Sequence, residues 1–384
     1  MKNVLRCFGS NLTLNCNRSK VCQLSCEKYS TAAAFKTESR ERREKHPYKK
    51  IHPWKSFKAF SESLVENVIY NKNGLVALNK PYGIASREKD VNNTKVPYQK
   101  ESLNKISGAV DYAVSNALPF IADRLGYANL NIVRSPERFM SGVMLLAADE
   151  SVEKAIIKSQ NRAMGFKKIP KTYWIVTTRL PKDTNGIKNV ALKLHKSPCK
   201  KFERPVIHEK WSNTQEKKGE IKVLNVEYNL LSNSIDNLSA LIEIKSSTTK
   251  WHAIRLFAAT NLLSPILGDR IHAERIQNIM GTLMKVNPFV AAVDRPPRMN
   301  KKLLTHLNLS TEMQDIIPVH IHLKRIELSW YFGKNKDLLI EAPLTPEFSW
   351  TCQALNFELP RESNFSVENV STEGQEQQFV QISQ

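Results

Sequence analysis

The chain has 384 residues, a net charge of +20 and a pI near 9.6, which favour a polyanionic partner: RNA, DNA or an anionic membrane surface. Its length suits one large catalytic domain or two smaller ones. It contains no apolar run near the roughly 20 residues that span a bilayer, so membrane insertion is not expected.

Residues 1–35 carry Lys2, Arg6, Arg18 and Lys20, several Ser, Thr and Asn, and no acid before Glu27. That is the bias of a mitochondrial transit peptide. Four of the six cysteines, Cys7, Cys16, Cys22 and Cys26, fall in this stretch without paired C-x-x-C spacing. Neither a zinc knuckle nor a disulfide framework is indicated. Residues 36–65 are strongly charged and read as a basic flexible arm.

A globular domain is expected over 66–355. Val68-Ile69-Tyr70 and Leu75-Val76-Ala77-Leu78 read as a hairpin turning through 71–74, and Asn79-Lys80-Pro81-Tyr82-Gly83 stops its second strand. Ile106, Val110, Val114 and Leu118 recur at helical spacing, which predicts a helix over 106–118 ended by Pro119. Residues 151–163 read as a helix with Ser151 as N-cap. Residues 171–180 are rich in β-branched and aromatic residues and read as a strand carrying Tyr173.

Residues 181–220, rich in Lys, Pro, Asn and Ser, read as an irregular basic excursion. Two strands follow over 221–231 and 238–244. Residues 251–262 suit a helix with His252 and Arg255 on one face. Residues 319–323 alternate, placing His320 and His322 on one side, and two histidines without a third ligand read as structural rather than metal-binding. Residues 338–341 form a last strand, and 356–384 read as a polar disordered tail. The expected fold class is α+β with a mixed or antiparallel sheet. No G-x-G-x-x-G or G-x-x-x-x-G-K-[ST] motif supports a nucleotide-cofactor fold.

The candidate chemistry lies in Arg134-Ser135-Pro136-Glu137-Arg138-Phe139-Met140-Ser141-Gly142, followed by the apolar run 143–148. A single carboxylate, Glu137, sits between two arginines at the mouth of a buried strand.

Several separated pieces, in order, resemble the RluA-type pseudouridine synthase family. Residues 78–83 resemble its N-K-P-x-G segment, and 133–147 its signature loop H-R-L-D-x-x-T-S-G with the following strand. Lys171-Thr172-Tyr173 resembles its K-x-Y strand. Residues 248–256 (TTKWHAIRL) are similar to T-G-R-T-H-Q-I-R, with Thr249 in place of the glycine. Residues 265–269 resemble P-I-L-G-D, and 320–322 and 342–348 the closing strand and A-P-x-P-x-F. The resemblance covers about 66–355 and is best to mitochondrial members without an N-terminal RNA-binding domain.

The resemblance implies the pseudouridine synthase fold, a central mixed, largely antiparallel sheet with flanking helices and an RNA-binding cleft. It implies isomerisation of uridine to pseudouridine without metal or cofactor, on a nucleoside turned out of its stack. The family's aspartate nucleophile falls on Glu137, which keeps the carboxylate on an arm one methylene longer. Its stacking tyrosine, implicated in proton removal, falls on Tyr173, and the arginine that pairs with the carboxylate on Arg255. Arg134, Arg138, Lys250, His252 and Leu256 are the expected substrate-binding residues. The expected partner is mitochondrial rRNA, tRNA or mRNA, and the expected setting a monomer in the mitochondrial matrix. A catalytically weak relative that binds mitochondrial RNA or assists ribosome assembly is the alternative, and a membrane-surface protein a weaker third.

Overall fold

The computed structural model describes residues 45–88 and 111–360, with the backbone of 370–371. The expected leader at 1–35 lies outside the described residues, as does most of the tail. Of the expected arm, residues from Lys45 onward are folded. Pro47–Lys49 form a 3-10 turn, and helix α1 (Phe57–Glu66) starts at an N-cap in which Ser56 accepts from the Ala59 amide. Tyr48, Phe60 and Leu64 are fully buried. The charges of this stretch mask the spacing of Phe60 and Leu64, which puts both on one helical face.

The remaining elements in order are β1 (Val68–Lys72), β2 (Leu75–Lys80), α2 (Val114–Leu125), β3 (Asn131–Arg134), β4 (Ser141–Ala147), α3 (Glu150–Gly165), β5 (Lys171–Thr177), β6 (Asn185–Lys196), β7 (Glu203–His208), α4 (Asn213–Lys217), β8 (Ile221–Asn233), β9 (Ala240–Ser246), α5 (Ala253–Thr260), β10 (Ile276–Ile279), β11 (Thr282–Lys285), α6 (Lys301–His306), β12 (Ile321–Leu328), β13 (Lys336–Glu341) and α7 (Pro346–Ala354). The main sheet runs β1-β2-β4-β12-β5-β9-β8-β6-β7, with β3 beside β4 and β13 beside β12. Its pairs are antiparallel except β4 with β12, which touch in parallel through His322 opposite Ser141 and Leu323 opposite Gly142. The mixed, largely antiparallel sheet expected from the strand pattern is present.

The wholly apolar run of β4 has a simple cause: both faces of the sheet are covered. Val143, Leu145 and Ala147 enter one core with Tyr173 and Ile175 of β5, against α3 and α5. Met144 and Leu146 enter another with Phe60 and Leu64 of α1 and Ala117 and Ile121 of α2. Trp174 and Val176 face a third with α6 and α7. Each fully buried Leu or Ile contributes about 1.5–3 kcal/mol over exposure. Gly142, at φ 111°, stands where β4 meets β12, and a Cβ there would run into the Leu323 carbonyl.

The structure corrects four further expectations. Helix α2 passes through Pro119 and ends at Gly126, whose left-handed φ of 76° closes it. Burial of Ala117, Ile121 and Ala122 outweighs the roughly 3 kcal/mol cost of an internal proline. Residues 106–110 lie outside the described ones. Asp149, not Ser151, caps α3; it accepts from the Val152 amide and from the Ser151 hydroxyl. The region 181–220 is not irregular, because it holds the β6–β7 hairpin and α4. Much of β6 is exposed and polar, which erases the apolar alternation, and Pro205 sits in β7 at the sheet's edge. Finally, Phe357, assigned to the tail, is buried beside α7.

Candidate active site

The site is assembled from a loop between β3 and β4, the start of β5 and the turn entering α5. The loop is clasped to the hairpin that precedes it. Gly83 donates its amide to the Arg138 carbonyl at 2.9 Å, and Arg138 Nε donates back to the Gly83 carbonyl at 3.1 Å. Buried Lys80 donates to the carbonyls of Pro81 and Ile84 at 3.2 and 3.0 Å, holding the turn of the N-K-P segment. Burial and the nearby Arg138 charge push its amine down to about 7. At the loop's far end Ser141 Oγ and His322 Nδ1 share a hydrogen bond of 2.9 Å.

Glu137 stands partly buried in this loop, and its carbonyl accepts from the Met140 amide at 3.0 Å. Removal from water pushes its carboxyl up to about 7; a hydrogen bond from Thr249 and the charges of Arg255 and Lys171 act the other way. Tyr173, 1% exposed, lies close enough for the Glu137 charge to add to burial in raising its phenol far above the usual range. Lys171, two residues earlier on β5, is lowered by burial and by Arg134 and raised by Glu137. Glu137, Tyr173 and Arg255 are therefore brought into one electrostatic cluster.

Arg255 departs from the expected arrangement. Its ion pair is with Asp269, Nη2 to Oδ1 at 2.5 Å, and both side chains are almost wholly buried. The same Asp269 oxygen accepts from the amides of Ile271 and His272 at 2.9 and 3.0 Å. Although burial opposes it, the charges of Arg255 and His272 and these bonds hold Asp269 well below the usual carboxylate range. Arg255 thus reaches Glu137 through its field while a second carboxylate holds it. Its guanidinium also lies over the Phe139 ring at 5.1 Å, on the loop that carries Glu137. Asp269 was legible only as part of the P-I-L-G-D piece, which carries no hint of whom it pairs with.

His252 does not share a helical face with Arg255. It precedes α5 in a left-handed conformation, φ 57°, next to Trp251 at φ 56°. Two successive non-glycine residues in this region store strain, at a cost of about 1–3 kcal/mol each. Buried His252 shares a hydrogen bond of 3.1 Å with His272 and meets Phe139 edge-on at 5.4 Å. Burial and Arg255 push its imidazole down to about 3, so it is neutral. Leu256 is fully buried in the core that contains Tyr173.

The remaining expected contacts are divided. Arg134 turns to helix α3, its Nε donating to Gln160 Oε1 at 2.7 Å, while Arg138 serves the clasp to Gly83. Lys250 is exposed and lies against Lys222, whose ammonium sits 5.2 Å from the Trp251 ring. This basic, aromatic ledge flanks the turn into α5. His320 and His322 are buried; His320 bonds the Pro318 carbonyl and Thr351 Oγ1, both at 2.7 Å.

A cavity of about 780 Å³ opens past the other end of β5, bordered by Thr178, Arg179, Asp269, Arg270, Glu274 and Arg298. Its arginines face nearby acids: Arg270 pairs with Asp315 at 3.1 Å, and Glu274 feels Arg179 and Arg298. The stronger candidate for chemistry is Glu137, where an ionisable carboxyl near neutrality lies close to an aromatic ring and a fixed cation.

The family model described as RNA pseudouridylate synthase matches residues 74–260. The chain is 26% identical to the mouse mitochondrial mRNA pseudouridine synthase Rpusd3 over 75% of its length and 77% of the relative's. It is 21% identical to the mouse mitochondrial pseudouridylate synthase RPUSD4 over 82% of its length and 74% of the relative's. In fold it is similar to a solved structure of human RNA pseudouridylate synthase domain containing 4, with a TM-score of 0.55 and 19% identity over 78% of this chain and 97% of that one. The loop, the tyrosine strand and the arginine turn all lie inside the matched span. Over residues 74–260 the chain is thus similar to the RNA pseudouridylate synthase family.

Proposed function

We propose that this chain isomerises uridine to pseudouridine in mitochondrial RNA, with Glu137 as the nucleophile. The observation that carries this reading is the meeting of Glu137, Tyr173 and Arg255 at one place, although they come from three separate parts of the chain. The Glu137 carboxyl, near neutrality, is ionised in a large fraction of molecules at physiological pH and retains basicity for attack. Arg255, held rigid by Asp269, supplies a fixed positive field as charge develops. Tyr173 offers a ring for the uracil to stack on. Its phenol stays protonated in the resting pocket, which supports stacking more than proton removal as its first role.

Lys250, Lys222 and Trp251 form the basic rim by which the RNA backbone would be held, so affinity should fall with added salt. The mitochondrial setting rests on the names of the relatives and on the cationic composition of the first 35 residues. Its finer placement in the matrix follows from RNA being the substrate.

The test is pseudouridine mapping of mitochondrial RNA from cells lacking the gene, complemented with wild type or with Glu137→Ala. Sites lost on deletion should return with the wild type and not with Glu137→Ala, whose rate should fall on the order of 10³-fold or more. A pseudouridine map unchanged by deletion would overturn the enzymatic reading.

A further inference from the structure

The cavity past the end of β5 lies apart from Glu137, and its cations are not all answered. Of the three arginines on its border, Arg270 pairs with Asp315 at 3.1 Å, and the bordering Asp269 is already held by Arg255. Among the bordering residues, Glu274 is then the one remaining acid against Arg179 and Arg298. Arg298 is exposed, where water serves it. Arg179 is half-buried, yet its guanidinium forms no hydrogen bond or ion pair among the described residues. A cation partly withdrawn from water without a partner is costly and calls for an explanation.

The backbone that carries this side chain is fixed. The Arg179 carbonyl accepts from the Thr177 hydroxyl at 2.8 Å and from the Ser264 hydroxyl, and the Thr178 amide donates to the Pro265 carbonyl at 2.8 Å. A guanidinium on a held backbone suits the two-pronged recognition of a phosphate. The volume of about 780 Å³ leaves room beyond the phosphate itself, since small-molecule sites run to roughly 300–1,000 Å³. Gln277 of β10 and Gln314 also border the cavity, and their carboxamides form no hydrogen bond among the described residues. Each keeps a donor and an acceptor for the edge of a base. Ile276 and Leu283, from the two strands of the β10–β11 hairpin, add apolar wall for its face.

We propose that this cavity is a nucleotide-binding site separate from Glu137, in which Arg179, backed by Arg298, takes the phosphate of a nucleoside phosphate and Gln277 and Gln314 take its base. A nucleotide within an RNA strand and a free mononucleotide present the same phosphate, sugar and base, and both meet this chemistry. The site stands whether or not Glu137 is the nucleophile.

Calorimetric titration of the full-length chain with uridine 5′-monophosphate and with uridine tests it, on wild type, Arg179→Gln and Glu137→Ala. Thermal melts are run without ligand. The monophosphate should bind wild type and Glu137→Ala alike, and uridine should bind at least about tenfold more weakly. Arg179→Gln should weaken the monophosphate roughly 10- to 100-fold. It should melt no lower than wild type, because the charge it removes has no partner in the fold. An oligouridylate separates the two sources. If Arg179→Gln weakens it too, and lowers the slope of log affinity against log salt by about one, the site serves an RNA strand. Unchanged oligouridylate affinity beside a weakened monophosphate assigns the site to a free nucleotide. Equal monophosphate affinity in wild type and Arg179→Gln, or a loss accompanied by a lower melt, would overturn the site. So would binding lost in Glu137→Ala but kept in Arg179→Gln, which puts the nucleotide at the candidate centre. Wild type that binds through Arg179 but forms no pseudouridine would remove the enzymatic reading and leave this site standing.

Discussion

Two carboxylates share the field of Arg255, and the protein treats them in opposite ways. Asp269 is sealed in, paired at 2.5 Å and bonded by two backbone amides, so its proton is released far below the usual range. Glu137 is partly open, lies outside the ion pair and is raised to about 7. For both, burial is the largest influence and opposes ionisation. What differs is how many partners answer it. A saturated carboxylate becomes a strut, and an undersatisfied one keeps the reactivity that chemistry needs.

The sharpest way to break this contrast is to delete the strut. Asp269→Ala leaves Arg255 buried without its partner and should destabilise the fold by about 3–5 kcal/mol in urea unfolding at neutral pH. Because the folded Asp269 carboxyl is depressed below its unfolded value, its contribution is present above roughly pH 4 and lost as pH falls further. The penalty of the variant should therefore shrink in acid. A penalty of equal size at pH 3 and pH 7 would contradict the assignment.

A middle-sized effect concerns rate. If Glu137 attacks as the carboxylate, single-turnover activity should rise about tenfold per pH unit below the midpoint, and level off above about pH 7. A flat profile between pH 5.5 and 8 would place the reacting group elsewhere.

The smallest effect is on stability at Glu137 itself. Its folded carboxyl is raised, so ionisation costs the fold progressively from the unfolded pKa up to about 7, and the whole cost is present above that. Glu137→Gln should melt higher than wild type at pH 8 and lose that advantage near pH 4.5. An advantage independent of pH would mean the carboxyl is not strained by burial.

The two regions were also unequally legible before the fold was known. The loop at 134–142 reads alone as a surface turn with a solvated Glu–Arg pair, and it becomes a candidate site only through the ordered resemblance of the other segments. Buried strands such as β4 and β5 are written in their own side chains, since coverage on both faces demands unbroken apolar runs. Where exposure dilutes that signal, as in β6, or where charge surrounds it, as in α1, local reading misses the element. Pro119 misled in the other direction, since its local penalty is overridden by the packing of Ala117 and Ile121.

By itself the sequence determined the α+β class, through strand and helix patterns that rest on residue type and short-range spacing, while the candidacy of Glu137, Tyr173 and Arg255 came from the resemblance of their segments to the family's motifs. Tertiary structure alone decided that Arg255 pairs with Asp269 and that Arg134 turns to Gln160. Those outcomes depend on which segments the sheet brings within a few ångströms, and on how much water each is left. Neither quantity is a property of any stretch of chain taken alone.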